Sequence, residues 1–223
     1  MHLRYLRNIP ALSEAECTLL RGRRVCVIGC GGLGGHIIEL LSRVGVGFIR
    51  AVDGDVFDET NLNRQLLSET GLIGQSKAQA AADRVRRIAP ETELEAVNTF
   101  LTEENAAELI AGCDAVLDGL DNAESRRILD AACRKAGIPY IYGAISGWVA
   151  QAALSLPGDA LVEALYPEDI EISDKSVLSF TPALCASMQA ALCVKLLCGR
   201  PVESGRLYYL DLLNMEFETI EFK

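Results

Sequence analysis

The chain has 223 residues, half of them hydrophobic and 23% charged, with a net charge of -10 and an isoelectric point near 4.8. That length sustains one substantial core, and no low-complexity or Pro/Ser-rich stretch divides it, so a single domain over residues 1–223 is expected. The acidic balance argues against a broad nucleic-acid-binding face, the short, charge-interrupted apolar runs argue against a membrane span, and MHLRYLRNIP at the start lacks the apolar centre of a secretory signal.

The first segment holds RYLRN (Arg4 to Asn8) and then Ser13-Glu14-Ala15-Glu16, a capping box that predicts a short helix. From charge patterning alone its arginines read as solvated charges. Val25 to Ile28 is short, apolar and β-branched, which suits a buried strand, and it runs into Gly29, Gly31, Gly32 and Gly34. A helical pattern follows through Leu33, Ile37, Leu40, Leu41 and Val44, closed by Gly45, and a second strand, Phe48 to Val52, delivers Asp53. Strand, G-x-G-x-x-G turn, helix, strand and acid make the dinucleotide fingerprint. In it, backbone N–H groups approach a phosphate at a helix N-terminus and the acid accepts from a ribose hydroxyl. Nicotinamide, flavin and adenylate binders all use this arrangement, and the stretch by itself puts an NAD-type oxidoreductase first.

Beyond Asp53 come a second acid, Asp55, and the polar cluster Asn61-Leu62-Asn63-Arg64-Gln65. Lys77 opens a predicted helix with apolar positions Ala78, Ala81, Ala82, Val85 and Ile88, ended by Pro90. Arg64 and Lys77 near a glycine turn suit phosphate handling, by a bidentate fork and a point charge respectively. A solvated helix start is the alternative for Lys77. Leu94 to Val97 reads as a strand and Glu103 to Ala111 as a helix; Ala115 to Leu117 is a further strand, ending at Asp118-Gly119-Leu120-Asp121-Asn122. Ligands of parallel sheets bind beyond the carboxyl ends of the strands, which puts Asp121 and Asn122 on the rim that holds Gly32 and Asp53. Asp121 can hold magnesium between phosphate oxygens, cap the helix Ala123 to Ala136, or do both.

Tyr140 to Gly143 and the alternating SGWVAQAALSLP read as strands. Residues 158–180 have no strong period and carry Asp159, Glu163, Glu168, Asp169, Glu171 and Asp174, which reads as a long loop. Pro182 to Cys198 reads as a buried helix, and Leu207 to Asp211 with Glu216 to Glu221 as an antiparallel pair at the sheet edge. The fold class expected is α/β: a Rossmann-like, doubly wound, mostly parallel sheet with antiparallel edge strands. The eight cysteines include no C-x-x-C pair, and scattered free thiols suit a reducing cytoplasm, the location expected here.

RYLRN, GCGGLGG, VDGDVFDETNLNRQ, GQSK and GLDN occur in this order, and from Arg4 to about Gly199 the chain resembles the ThiF/MoeB/HesA family, bacterial relatives of ubiquitin-activating enzymes. The resemblance implies an adenylyltransferase that uses ATP and magnesium to activate the C-terminal glycine carboxylate of a small ubiquitin-like sulfur carrier protein ending in Gly-Gly, in thiamin or molybdopterin sulfur chemistry. It implies that Gly32 approaches the phosphates and Asp53 holds the ribose. Asn61, Arg64, Gln65 and Lys77 would surround the triphosphate, with Asp121 on magnesium and Asn122 beside it. Arg7 matches an arginine that reaches into the partner's nucleotide site, which implies a homodimer.

Two departures from the family matter. LVEALYP stands where many members have the first of two C-x-x-C pairs, and the second is missing before Lys223, so no zinc is expected. The loop before the last long helix contains no cysteine, and Cys185 beyond it reads as a buried thiol, so an enzyme that stops at the acyl-adenylate is expected. Two other readings stand beside this one: an ATP-dependent tRNA dehydratase of the same superfamily, against which the acidic composition weighs, and a non-catalytic nucleotide-binding subunit, which has no need of Arg64, Lys77 and Asp121 together. The NAD oxidoreductase falls last, because His2 and His36 are the only histidines and neither provides a proton relay.

Overall fold

The apolar run at residues 25–28 is buried along its whole length, as a parallel strand covered on both faces must be. In the computed structural model, which describes residues 3–167 and 176–221, it lies in the strand β1 (Arg24–Ile28). The other strands are β2 (Phe48–Val52), β3 (Glu93–Val97), β4 (Ala115–Asp118), β5 (Tyr140–Ser146), β6 (Val149–Ser155), β7 (Arg206–Asp211) and β8 (Glu216–Glu221). All eight form one sheet in the order β3-β2-β1-β4-β5-β6-β7-β8. Pairing is parallel from β3 to β5 and antiparallel from β5 to β8. This is the expected mixed α/β sheet, with its antiparallel part at one edge.

Period-two alternation along β1 divides the interior in two. Val25 and Val27 enter a core shared with the helices α1 (Glu14–Arg21), α2 (Gly32–Val44), α3 (Lys77–Ile88) and α7 (Phe180–Leu197). Cys26 and Ile28 enter a second core, with α4 (Ala106–Ile110), α5 (Ala123–Ala136) and α6 (Leu161–Leu165). The helices thus cover both faces, and β1 and β4 send the chain to opposite sides.

The helix ends follow local chemistry. Ser13 Oγ accepts from the Glu16 N–H and the Glu16 carboxylate accepts from the Ser13 N–H at 2.7 Å, the expected reciprocal cap on α1. Gly45, at φ 103°, ends α2 in the left-handed region. Where a helix over 103–111 is expected, α4 covers only Ala106–Ile110. Thr102 and Asn105 bond each other's backbone N–H groups and hold the preceding residues in a turn. The stretch 158–180 read as loop contains α6, and α7 begins at Phe180 with Pro182 in its first turn, where a missing N–H costs nothing. Glu168, Asp169, Glu171 and Asp174 lie outside the described residues.

Candidate functional site

The cleft between the carboxyl ends of β1 and β4 is the switch point of the sheet, and a cavity of about 720 Å³ opens there. Gly29, Gly31, Gly32, Asp53, Asp55, Arg64, Gln65, Lys77, Asp121 and Asn122, singled out from sequence, all border it.

The glycines divide into two kinds. A Cβ on Gly34 would lie 1.7 Å from the Gly29 carbonyl oxygen, and one on Gly29 would lie 2.6 Å from the Gly119 carbonyl oxygen. These two positions let α2 and the β4 turn close on β1. A Cβ on Gly32 would meet nothing nearer than Pro182 Cβ at 3.7 Å, an ordinary contact. The open side of Gly32 faces the cavity, whereas Gly34, expected among the ligand-facing glycines, does not border it and serves packing.

Asp53 directly follows β2 with both carboxylate oxygens engaged: Oδ2 accepts from the Cys30 N–H at 2.7 Å and Oδ1 from the Asp55 N–H at 2.8 Å. It fastens the glycine turn to the next loop. Burial raises its pKa above the usual carboxylate range, against the two amides and Lys77. The second lone pair on each oxygen leaves it able to accept a further hydroxyl.

Lys77 opens α3 behind the cap supplied by Ser76, and its Nζ donates to Asp55 Oδ2 at 2.5 Å. Partial burial works to raise the Asp55 pKa, but the ammonium outweighs it and holds the carboxyl below the usual range. The side chain of Lys77 is 8% exposed, which rules out a freely solvated helix start. On the neighbouring loop Arg64 Nη1 donates to the Thr60 carbonyl at 2.8 Å and to Asn63 Oδ1 at 2.9 Å. Gln65 is buried beside Gly31 with its Oε1 lacking a partner, so an acceptor is available to a bound group.

Asn61 differs from expectation. Its side chain turns into its own loop, accepting from the Asp58 N–H at 3.2 Å in a reciprocal cap, and it does not border the cavity. Arg7 is also absent from the cavity; it is exposed on the turn Leu3–Asn8, where Asn8 Nδ2 donates to the Val44 carbonyl at the far end of α2. The glycine turn is at the near end, a helix length of roughly 20 Å away at the standard rise per residue.

Asp121 is exposed at the carboxyl end of β4. The cap of α5 belongs to Asn122, whose Oδ1 accepts from the Ser125 N–H at 2.9 Å; its Nδ2 donates to Asp121 Oδ1 at 3.3 Å. Asp121 is therefore relieved of capping. Among the described residues no three His, Cys, Asp or Glu side chains cluster as metal ligands. One open carboxylate in a cavity with anion-binding groups fits magnesium, which takes one or two carboxylates and completes its shell with phosphate and water.

The inner wall is a polar network that sequence reasoning did not find. Arg126 of α5, 3% exposed, donates through Nε to Asp118 Oδ2 at 2.9 Å, through Nη2 to the carbonyls of Leu120 and Gly143 at 2.6 and 2.9 Å, and through Nη1 to the Tyr166 hydroxyl at 2.8 Å. Asp118 also accepts from the Tyr140 hydroxyl at 2.6 Å and from the Leu120 N–H at 2.7 Å. Burial disfavours the charge on Arg126, but the Asp118 carboxylate prevails and raises its pKa. Burial likewise pushes the Tyr140 and Tyr142 hydroxyls well above their ordinary range. The available signal was an acid ending a strand with an arginine eight positions on, which names no contact without the helix in place. Behind this wall Cys185 is fully buried, donates to the Gln151 carbonyl at 3.1 Å, and is pushed up to about 12 by burial, as an inert thiol would be.

The sequence model of the ThiF family matches residues 4–223. The chain is 36% identical over 231 residues to the SAMP-activating enzyme E1 of Haloferax volcanii, a match spanning 99% of this chain and 85% of the relative. It is 35% identical over 234 residues to the probable adenylyltransferase/sulfurtransferase MoeZ of Mycobacterium tuberculosis, spanning 99% of this chain and only 60% of that protein. The sulfur carrier protein adenylyltransferase of Thermus thermophilus is 31% identical, with 97% of this chain and 86% of the relative covered. Among solved structures, Escherichia coli MccB with ATP has the same fold, with a TM-score of 0.84 at 19% identity, covering 100% of this chain and 72% of that one.

Proposed function

The chain belongs to the ThiF family, and on that premise we propose that it is an adenylyltransferase that uses ATP to activate the C-terminal glycine carboxylate of a small ubiquitin-like sulfur carrier protein. The observation that carries the proposal is one cavity in which a glycine turn, Asp53, Arg64, Lys77 and Asp121 converge. Relatives named as adenylyltransferases, one of them for a sulfur carrier protein, support it. MoeZ is matched over only 60% of its length, so the proposal concerns adenylation alone.

The chemistry follows from charge. A carboxylate attacks the α-phosphate in line and pyrophosphate leaves, so two anions must approach each other. Gly32 lets backbone N–H groups near the phosphates, and Asp53 accepts from a ribose hydroxyl. Lys77 exchanges its bond to Asp55 for a phosphate oxygen, while Arg64 turns from its own loop to the leaving group; both cations offset the repulsion without a protein nucleophile. Asp121 would hold magnesium, which when bound neutralises phosphate charge. Arg7, at the far end of α2, serves the site of a second copy in a homodimer, the arrangement that its distance from its own cavity favours.

Purified protein mixed with a carrier of the ThiS or MoaD type should exchange labelled pyrophosphate into ATP, and exchange should need the carrier's terminal glycine. No carrier-dependent exchange, with ATP and carrier both bound, would overturn the proposal.

A further inference from the structure

The reaction just described makes no use of the buried arginine in the inner wall of the cavity. Four of the five guanidinium N–H groups of Arg126 are accounted for by its bonds to Asp118, Leu120, Gly143 and Tyr166. Together with Asp118 it brackets Leu120: the N–H of that residue goes to Asp118 Oδ1 and its carbonyl to Arg126 Nη2. Asp121 is the next residue, and its side chain accepts from its own neighbour Asn122 on the same turn, so its place is set by the bracketed backbone. The next arginine, Arg127, donates to the carbonyls of Tyr166 and Pro167 at 2.9 and 3.1 Å. Two consecutive arginines of α5 thus grip Tyr166 by its hydroxyl and by its backbone. The Tyr166 hydroxyl also lies 2.7 Å from that of Tyr142, which donates to Gln151 Oε1 at 3.3 Å.

We infer that Arg126 and Tyr166 are a positioning pair for the adenylation site, in which Arg126 clamps the 118–121 turn so that Asp121 faces the cavity and the Tyr166 hydroxyl fixes that clamp to the segment following α6. Neither residue reacts. Without the hydroxyl, a guanidinium N–H in a buried wall loses its acceptor, and the group shifts to find another, loosening the carbonyl of Leu120. The inference rests on the proposed adenylation and on magnesium being held at Asp121.

The test uses the full chain as Tyr166→Phe, with Tyr142→Phe as comparison, since the latter removes a neighbouring hydroxyl but leaves the Arg126 bond. For Tyr166→Phe the magnesium concentration giving half-maximal pyrophosphate exchange should rise about threefold to tenfold, up to the lower end of the range for direct outer partners of a metal ligand, because Tyr166 acts through Arg126 and the Leu120 backbone. The KM for ATP at saturating magnesium should stay near that of the parent. Calorimetric titration with ATP, which needs no turnover, should show the gain in affinity from magnesium reduced in Tyr166→Phe and less affected in Tyr142→Phe. A Tyr166→Phe protein that melts at lower temperature but keeps the parental magnesium dependence in both measurements would overturn the inference. Parent protein that binds ATP with magnesium but never exchanges pyrophosphate would instead count against the adenylation reading, while the calorimetric comparison would still decide this one.

Discussion

Lys77 Nζ lies 2.5 Å from Asp55 Oδ2, so the cation best placed to meet a phosphate is already held by an anion at the edge of the same cavity. The pairing holds an almost fully enclosed side chain in place, and an incoming phosphate has only to take over from a carboxylate that is half exposed. Lys77→Met keeps the apolar stem and removes the charge. Pyrophosphate exchange should fall by about 10²- to 10³-fold, as when one preorganised charge-stabilising group is lost. Far-ultraviolet circular dichroism should be unchanged, and a Met variant with parental exchange would remove Lys77 from the chemistry.

The contrast between Gly34 and Gly32 yields a paired prediction. Gly34→Ala drives a methyl group to 1.7 Å from the Gly29 carbonyl and should destabilise the protein by about 3 kcal/mol or more, at or beyond the usual range for overpacking. Gly32→Ala meets only ordinary contacts and should leave the melting temperature unchanged or slightly raised, while weakening ATP binding by titration. Equal effects on stability from the two substitutions would contradict the division.

Of the fold, sequence periodicity reached every strand of the sheet and most helices, because β1, β2, β4 and the first half of β5 are buried runs, β3 alternates between exposed and half-buried positions, and β6 to β8 follow turn residues. Less was legible where pairing of side chains over distance decides the outcome. The family resemblance implies Asn61 beside the triphosphate, but its amide completes a cap for Asp58 three residues away. Asp121 was a candidate cap, and Asn122 one position on has the geometry for it. The spacing of Asp118 and Arg126 names no contact by itself, since the partners of Arg126 come from β4, β5 and the end of α6, brought together only by the folded sheet. The glycine turn, Asp53, Arg64 and Lys77 were legible because they fall within a contiguous stretch around one strand–helix–strand unit.

Cys185 should be dispensable. It is fully buried, its thiol is pushed up to about 12, and its hydrogen bonds go to the Ala144 and Gln151 carbonyls and to Gln189 Oε1. Cys185→Ala should retain carrier-dependent exchange, and native protein should not be alkylated there by iodoacetamide. Loss of exchange with an intact fold, or a thioester to the carrier at this residue, would contradict the assignment of an inert core thiol.

Asp130, 1% exposed, has Oδ2 at 3.0 Å from Arg134 Nε, and its Oδ1 is buried without a partner. Burial raises its pKa to about 6 despite Arg134. The unfolded chain releases this proton near the ordinary carboxylate value, so between about pH 4 and pH 6 the folded state binds more protons and loses stability as pH rises. Asp130→Asn mimics the neutral acid and should stabilise the protein by on the order of 1–3 kcal/mol at pH 7.5, with the gain disappearing toward pH 4. Denaturant melts at the two pH values check the sign; a destabilised Asn variant at pH 7.5 would show that the Arg134 pair outweighs burial.

Transfer of AMP to a carrier carboxylate, the reaction proposed for this chain, is tested most directly by intact-mass spectrometry of a Gly-Gly carrier incubated with the protein, ATP and magnesium. A carrier heavier by one AMP moiety, attached at its C-terminal glycine, is expected, and it should be absent when ATP is omitted or when Asp121→Ala replaces the parent. A carrier of unchanged mass, trapped on ice beside protein that binds both ATP and carrier, would contradict the proposed reaction.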